Sequence, residues 1–291
     1  MSNIKNTMKF LFVLPLIALL FSCGGGSSST NEDGVVTSKK AGVNEVYVHL
    51  NSDLDKINPI TSTSANASLV ERFLFSALID VNPQTLELQP SFAVSRPLIE
   101  EVENDVFGEK LAGLKITYEI RPEAVWDDGK PITAEDYVFA LKVIKNPKVD
   151  CEHLRPYFEF IYDVKIDPND PKKFTVYTKD QYILSESSSS GYLYPKHIYD
   201  PNGLMDKFTL KEMSNPENFS DLSGNLDIIK FAEEFNSEKF SRDPNFVTGS
   251  GPYKLKEWNT GQRIILEKKQ DWWGNALVGE VLGFENYPDR L

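Results

Sequence analysis

The sequence is poor in the residues that usually build metal sites. Its 291 residues include only two cysteines, Cys23 and Cys151, and three histidines, His49, His153 and His197. Zinc ligands normally come in pairs a few residues apart, whereas these histidines are far from one another. The sequence therefore predicts no metal site and no cofactor.

No stretch places a nucleophile beside a base in a pattern typical of catalysis. Gly249-Ser250-Gly251 lacks the spacing of a nucleophile elbow, and the serine run 187–190 has no base next to it. Asp167 and Asn169 begin like a calcium-binding loop, but Lys172 stands where that loop needs glycine. We therefore expect a protein that is not an enzyme.

Positive charge is also scarce. The chain has 31 lysines and arginines against 43 acidic residues, a net charge of −12. Binding to nucleic acid needs a basic surface to meet the phosphates, so the composition excludes nucleic acid as a partner. The acidity favours solubility, with a preference for cationic ligands as the alternative.

Long hydrophobic runs are lacking apart from 10–21, which is shorter than the roughly 20 residues of a membrane-spanning helix. Lys5 and Lys9 precede this run, so residues 1–22 are predicted to be a signal peptide. The run ends in LFSC, which resembles the lipobox of bacterial lipoproteins and makes Cys23 the predicted lipidation site. The alternative is an ordinary signal peptide with an incidental cysteine.

Residues 23–44 are rich in glycine, serine and polar residues, and are predicted to form a flexible tether. A lipid on Cys23 would anchor the protein to a membrane, on the periplasmic side or at the cell surface. Because Cys23 is then modified, Cys151 has no partner and no disulfide is expected.

One compact unit follows in the middle of the chain. Residues 114–120 alternate as a strand does, and Asp128-Gly129 predicts a primed hairpin turn. Thr133 is a predicted helix N-cap with Asp136 in the capping-box position, ahead of a helix with a buried apolar stripe.

Other elements follow from periodicity and turn residues. Strands are predicted over 45–50, 161–166, 174–178, 253–258 and 263–268. Helices are predicted over 64–78, 206–213 and 226–240, with a loop over 215–224. Strands 114–120, 161–166 and 174–178 should form a small antiparallel sheet.

Two segments resemble one known family. Residues 120–139, IRPEAVWDDGKPITAEDYVF, resemble the pattern LRxGVxWxDGxPxTAEDVVF, and 248–274, TGSGPYKLKEWNTGQRIILEKKQDWWG, resemble GTGPYKLxxWxxGxxIxLxxNPxYWG. Both patterns are typical of family 5 extracellular solute-binding proteins, the oligopeptide-, dipeptide- and nickel-type receptors of ABC importers. The main departures are Glu123-Ala124 and Tyr137.

The resemblance implies an α/β, periplasmic-binding-protein-like two-lobed fold of type II (cluster C), monomeric in its full-length form. Residues 45–78 and 191–276 would form the first lobe, and 79–190 an inserted small β-rich domain. Residues 277–291 would begin the connection to the second lobe, which is missing.

The resemblance also implies the function: a substrate-binding lipoprotein that delivers peptides or similar small solutes to ABC permease subunits. Aromatic walls hold peptide side chains without reading their identity. The candidate ligand contacts are Ser64, Ala65, Asn66, Tyr192, Tyr194 and Trp272. For the three aromatic residues, packing in the core is the alternative.

A different class of function is a surface or structural lipoprotein that does not transport, or a truncated remnant without function. Neighbouring permease and ATPase genes would favour import. The acidic residue that binds a peptide's α-amino group in this family belongs to the missing half, so we expect weak peptide binding and a tendency to associate.

Overall fold

The structure is a computed structural model that describes residues 43–281, 283–285 and 288–291. Its helices are α1 (Ala65–Leu74), α2 (Ala134–Lys145), α3 (Arg155–Phe158), α4 (Ser185–Ser189), α5 (Lys196–Tyr199), α6 (Leu210–Ser214), α7 (Phe219–Gly224), α8 (Leu226–Phe235) and α9 (Lys239–Arg242). Its strands are β1 (Ile79–Val81), β2 (Leu88–Pro90), β3 (Leu98–Val106), β4 (Glu109–Glu119), β5 (Ile161–Asp167), β6 (Asp170–Thr178), β7 (Tyr253–Asn259) and β8 (Arg263–Lys268). The predicted signal peptide, Cys23 and almost all of the predicted tether lie outside the described residues.

The predicted antiparallel sheet is confirmed, with one strand more than expected. Its order is β3-β4-β6-β5, and every neighbouring pair is antiparallel. The additional strand, β3, has the sequence LIEEVENDV, and most of its residues are exposed, with Asn104 and Val106 buried. Its charged residues hide the strand pattern, and they are suited to an edge strand because they discourage pairing with other chains.

Helix α2 begins as the sequence predicted. The Thr133 backbone N–H donates to the Asp136 carboxylate at 3.0 Å, which is the capping-box contact at the start of the helix. Tyr137 and Leu141 pack into the core beside the sheet, and the Tyr137 ring lies 4.6 Å from that of Phe174 in β6.

Two hydrophobic cores share this helix. One core surrounds α1 and α8, and the other fills the space beside the four-stranded sheet. Phe139 and Val143 of α2 enter the first core, whereas Tyr137 and Leu141 enter the second. Because α2 belongs to the predicted insertion 79–190, the two predicted domains share core residues, and their exact boundary stays a prediction.

The turn before α2 is not the primed turn that was predicted. The Trp126 N–H donates to the Lys130 carbonyl at 2.8 Å, and the Gly129 N–H donates to the Trp126 carbonyl at 2.9 Å. Within the turn only Gly129 has a positive φ, +81°, whereas a type I′ turn needs two such residues. Three residues, 127–129, therefore separate the paired residues Trp126 and Lys130, and Gly129 adopts the left-handed conformation at the last position of this turn.

Helix α1 ends at Leu74 rather than at the predicted residue 78. Phe75 is extended, and the Leu74 carbonyl accepts a hydrogen bond of 2.7 Å from the Gly251 N–H. A Cβ on Gly249 would overlap the same carbonyl oxygen. The glycines of the 249–251 segment thus allow it to lie directly on the end of α1.

The C-terminal half is more finely divided than predicted. The predicted helix over 226–240 is two helices, α8 and α9, and the predicted loop over 215–224 contains a 3-10 helix (Pro216–Asn218) and α7. Asn225 separates α7 from α8, because its side chain caps the start of α8 by accepting a hydrogen bond from the Asp227 N–H at 2.9 Å.

Helix α6 also begins at a side-chain cap. The predicted helix over 206–213 is a 3-10 helix (Leu204–Lys207) followed by α6, whose N-cap is Thr209. A further 3-10 helix covers Trp273–Leu277. Across the described ranges, no helix has both the length and the apolar character needed to cross a membrane.

The predicted pair β7 and β8 is confirmed, but the predicted strand over 45–50 is only an extended segment with isolated bridges. Residues 288–291 lie between β8 and the extended segment that contains Glu45 and Val46. Leu291 exchanges backbone hydrogen bonds of 2.9 and 3.1 Å with Leu266 of β8, and the Val46 N–H donates to the Arg290 carbonyl at 3.0 Å. The described end of the predicted connection 277–291 thus joins this sheet.

Lys269 links β8 to the turn before α2. Its side chain is 8% exposed, and its ammonium nitrogen lies 2.8 Å from Asp127 Oδ1 and donates to the Gly249 carbonyl at 2.9 Å. Burial lowers the pKa of Lys269, and the Asp127 carboxylate opposes that shift. A buried ammonium depends on such partners to remain charged.

We predict that Gly249→Ala destabilises the protein by at least about 2 kcal/mol, because its Cβ would displace the Leu74 carbonyl. Urea unfolding followed by circular dichroism measures the change. Gly224→Ala is the matched control, since a Cβ there meets nothing within 4 Å. Equal stability of the two variants would contradict the close approach at α1.

We also predict that Asp127→Asn lowers the free energy of unfolding by about 1–3 kcal/mol, because it leaves the buried Lys269 ammonium without its counter-charge. Asp271→Asn removes an exposed carboxylate close to the same lysine, and should change stability by less than about 0.5 kcal/mol. If thermal and urea unfolding of Asp127→Asn match the wild type, the ion pair contributes nothing to stability.

Candidate functional site

The predicted residues Ser64, Ala65 and Asn66 form the start of α1. Ser64 is the N-cap, and its hydroxyl accepts a hydrogen bond of 3.4 Å from the Ala67 N–H. The Asn66 side chain donates to the carbonyl and hydroxyl oxygens of Ser52 at 3.0 and 2.9 Å. These polar groups hold the local backbone, and Ala65 is exposed.

The loop in front of α1 is ordered by Asp55. Its carboxylate accepts hydrogen bonds from the Ser62 hydroxyl at 2.8 Å and the Thr63 N–H at 3.0 Å. Burial raises the pKa of Asp55, but the hydrogen bonds from Thr63 and Ser62 outweigh it, so the pKa lies below its usual value. The carboxylate therefore stays ionised at neutral pH and keeps the backbone before Ser64 in place.

Helix α1 presents one open face. Its apolar packing uses Ala67, Val70 and Leu74, which recur at helical spacing. The residues on the other side of the helix are exposed. We define the α1 surface as Ala65, Ser68, Leu69 and Arg72 of this side, together with the exposed Tyr192 near the C-terminal end of the helix. The ten residues of α1 make this surface about 15 Å long.

Tyr192 is the aromatic residue of this surface. It is 39% exposed, pairs with Ala77 just beyond α1, and meets the edge of the Phe75 ring at 6.4 Å. Burial of part of the side chain raises the pKa of Tyr192, so the phenol is neutral at physiological pH. It offers an apolar ring with a hydroxyl group that can donate or accept a hydrogen bond.

Tyr194 and Trp272, the other predicted aromatic contacts, lie in the core. Tyr194 is fully buried, stacks on Phe75 at 5.4 Å and donates to Asn58 Oδ1 at 2.9 Å. Trp272 is 5% exposed, and its Nε1–H donates to the Ser250 carbonyl at 3.0 Å. Both residues therefore pack in the core, which was the alternative prediction, and their polar atoms form hydrogen bonds inside the protein.

Glu71 was not among the residues predicted from the sequence. This residue is 4% exposed, and its Oε1 atom has no hydrogen-bond partner. Burial raises the pKa of Glu71 to about 8, although the Asn58 N–H donates to the carboxylate and lowers it. A signal was present, because an acidic residue stands on the buried face of α1 between Val70 and Leu74.

The histidines and Cys151 lie in separate environments. His197 contacts the Asp128 carboxylate at 2.8 Å, and the Cys151 thiol is buried against the Ile144 carbonyl. Burial raises the pKa of Cys151 to about 11, which makes it a poor nucleophile. Within the described part of the chain, no cluster of histidine, cysteine, aspartate or glutamate has the arrangement of a metal site.

Known proteins resemble the chain over most of its length. The oligopeptide-binding protein AppA of Bacillus subtilis is 25% identical over 291 residues, covering 99% of this chain and 46% of AppA. The periplasmic oligopeptide-binding protein OppA of Salmonella typhimurium is 26% identical over 278 residues, covering 95% of this chain and 44% of OppA. The chain thus spans less than half the length of these relatives.

Solved structures share the fold. An oligopeptide-binding protein from Thermus thermophilus, complexed with a pentapeptide, has a TM-score of 0.56 at 24% identity, covering 76% of this chain and 36% of its own. The pheromone receptor PrgZ has a TM-score of 0.57 at 14% identity, covering 83% and 41%. These similarities show the periplasmic peptide-binding-protein fold, present here as a partial lobe.

The family model for bacterial extracellular solute-binding proteins, family 5 Middle, matches residues 109–289. This range includes the whole of both segments, 120–139 and 248–274, on which the sequence resemblance depended. The chain therefore belongs to the family 5 bacterial extracellular solute-binding proteins.

Proposed function

We propose that this chain is the substrate-binding lipoprotein of an ABC importer and takes peptides or similar small solutes. The observation that supports the proposal is the α1 surface: the predicted segment 64–66 begins the helix, and the exposed Tyr192 pairs with Ala77 just beyond its C-terminal end. Family membership supports the class of function, and relatives named for oligopeptide binding support the class of ligand.

The α1 surface has the chemistry that a peptide needs. Leu69 and the ring of Tyr192 offer apolar contact, and Arg72 supplies a positive charge for an acidic group or a carboxyl terminus. Such contacts hold side chains by their apolar area rather than by their identity. The proposed ligand is accordingly a mixture of short peptides rather than one compound.

In the proposal, the partners are the ligand and the permease subunits of the importer, and the protein is monomeric. The predicted lipid on Cys23 would hold it at the outer side of a membrane, with 23–44 as a tether. The net charge of −12 supports a soluble domain that avoids nucleic acid.

We predict that the protein binds a pool of di- to pentapeptides no more tightly than a Kd of about 1 mM, or about −4 kcal/mol. The described residues supply one surface, so a peptide on it keeps much of its area in water and gains little from burial. Titration calorimetry measures the affinity. Micromolar binding would show that this surface is sufficient without a second wall.

Tyr192 is the residue to change in the same experiment. Tyr192→Ala should weaken binding by roughly tenfold, since it removes the exposed ring at the end of α1. Tyr157→Ala is the matched control, because Tyr157 is 58% exposed on α3, away from α1 in the sequence. If both variants bind equally well, the α1 surface is not the ligand site.

We predict that Cys23 is acylated. Cys23→Ala should abolish incorporation of labelled palmitate and leave an unprocessed or released protein, because alanine has no thiol to which the lipid can be attached. Cys151→Ala should label like the wild type, since that thiol is buried. Persistent labelling of the Cys23→Ala variant would contradict the prediction.

A further inference from the structure

Three buried polar atoms around one turn have no hydrogen-bond partner: Glu71 Oε1, Asn58 Nδ2 and Thr61 Oγ1. The three residues are 4%, 0% and 5% exposed. Natural proteins satisfy nearly all such groups, so a group of them in one place calls for a physical explanation. The turn, residues 58–62, lies directly before the start of α1.

Asn58 organises this turn. Its carbonyl accepts hydrogen bonds from the Thr61 and Ser62 N–H groups at 3.0 and 2.8 Å, and its side-chain oxygen accepts one from the Tyr194 hydroxyl at 2.9 Å. Its own N–H donates to the Glu71 carboxyl group. Glu71 therefore connects the buried face of α1 to the residue on which the whole turn depends.

The surroundings of Glu71 disfavour a negative charge. Apolar side chains of the α1 core, among them Val70 and Leu74, lie beside it on the helix. The charged group that acts on it is the Asp55 carboxylate, which repels a second anion, and the hydroxyls of Tyr192 and Tyr194 are within electrostatic range. Burial, with a smaller contribution from the Asp55 carboxylate, raises the pKa of Glu71 to about 8, although the hydrogen bond from the Asn58 N–H lowers it.

We propose that Glu71, Asn58 and Thr61 form a protonation-dependent latch that holds the 58–62 turn against α1. Glu71 is a positioning residue, because it sets the turn that leads into Ser64 and Ala65. As a neutral acid it buries no charge and keeps the Asn58 N–H contact. As a carboxylate it buries a charge with one oxygen unpaired, and the turn opens more readily. That this opening changes ligand binding rests on the proposed function.

The direction of the effect follows from linkage. In the closed turn the pKa of Glu71 is about 8, whereas an exposed glutamate has its ordinary value of 4.5. Between these values the open form binds fewer protons, so raising the pH favours opening by about tenfold per pH unit. From about pH 5.5 to about pH 7.5 the opening equilibrium should therefore increase by about 100-fold.

Hydrogen–deuterium exchange of the 291-residue protein, without ligand, tests the latch. The probes are the amides of Thr61 and Ser62, which bond to the Asn58 carbonyl. Their protection factors, corrected for the intrinsic effect of pH, should fall by about 100-fold between about pH 5.5 and about pH 7.5. In Glu71→Gln, which keeps the shape without the titration, the factors should stay constant over the same range.

Glu101→Gln is the matched control, because Glu101 is exposed on β3; it should behave as the wild type does. Constant protection in the wild type would overturn the latch, even if Glu71→Gln fails to fold. A pH dependence that persists in Glu71→Gln would assign the effect to another group and would also overturn it. Since no ligand is present, these results are independent of whether the protein binds peptides.

Discussion

The carboxylate of Asp136 joins three parts of this molecule: the start of α2, the turn before it and the start of α5. It is 5% exposed and accepts hydrogen bonds from the Thr133 N–H at 3.0 Å, the Trp126 Nε1–H at 3.2 Å and the Lys196 N–H at 3.2 Å. Burial raises the pKa of Asp136, while these three donors lower it. One side chain thereby starts α2, holds the turn before it, and fixes the segment that leads into α5.

Helix α2, which Asp136 caps, packs against both hydrophobic cores. Because the two sides of this helix enter different cores, a change in its position would disturb packing around α1 as well as beside the sheet. Lys269 adds a second connection, since it binds Asp127 of the same turn and the carbonyl of Gly249. The 249–251 segment in turn lies on the end of α1, so the two family segments together determine how the α1 surface is presented.

The predicted ligand contacts lie in different surroundings, and the sequence did not distinguish these surroundings equally well. The segment 64–66 was predicted to contact the ligand; the structure places it at the N-terminus of α1, and the contact itself stays a prediction. Tyr192, Tyr194 and Trp272 look alike in the sequence, yet only Tyr192 is open. The difference arises from Asn58 and Ser250, which accept hydrogen bonds from the two buried aromatic side chains and come from distant parts of the chain.

The sequence by itself determined the local elements whose causes are local. The capping pair Thr133 and Asp136, the alternation of β4 and the turn glycine Gly129 each act within a few residues, so their positions were predictable. Only the tertiary structure decided the length of α1, the existence of β3 as an acidic edge strand, and the burial of Glu71. The end of α1 depends on Gly251, the burial of Glu71 on the turn around Asn58, and β3 on its pairing with β4, and local propensity records none of these contacts.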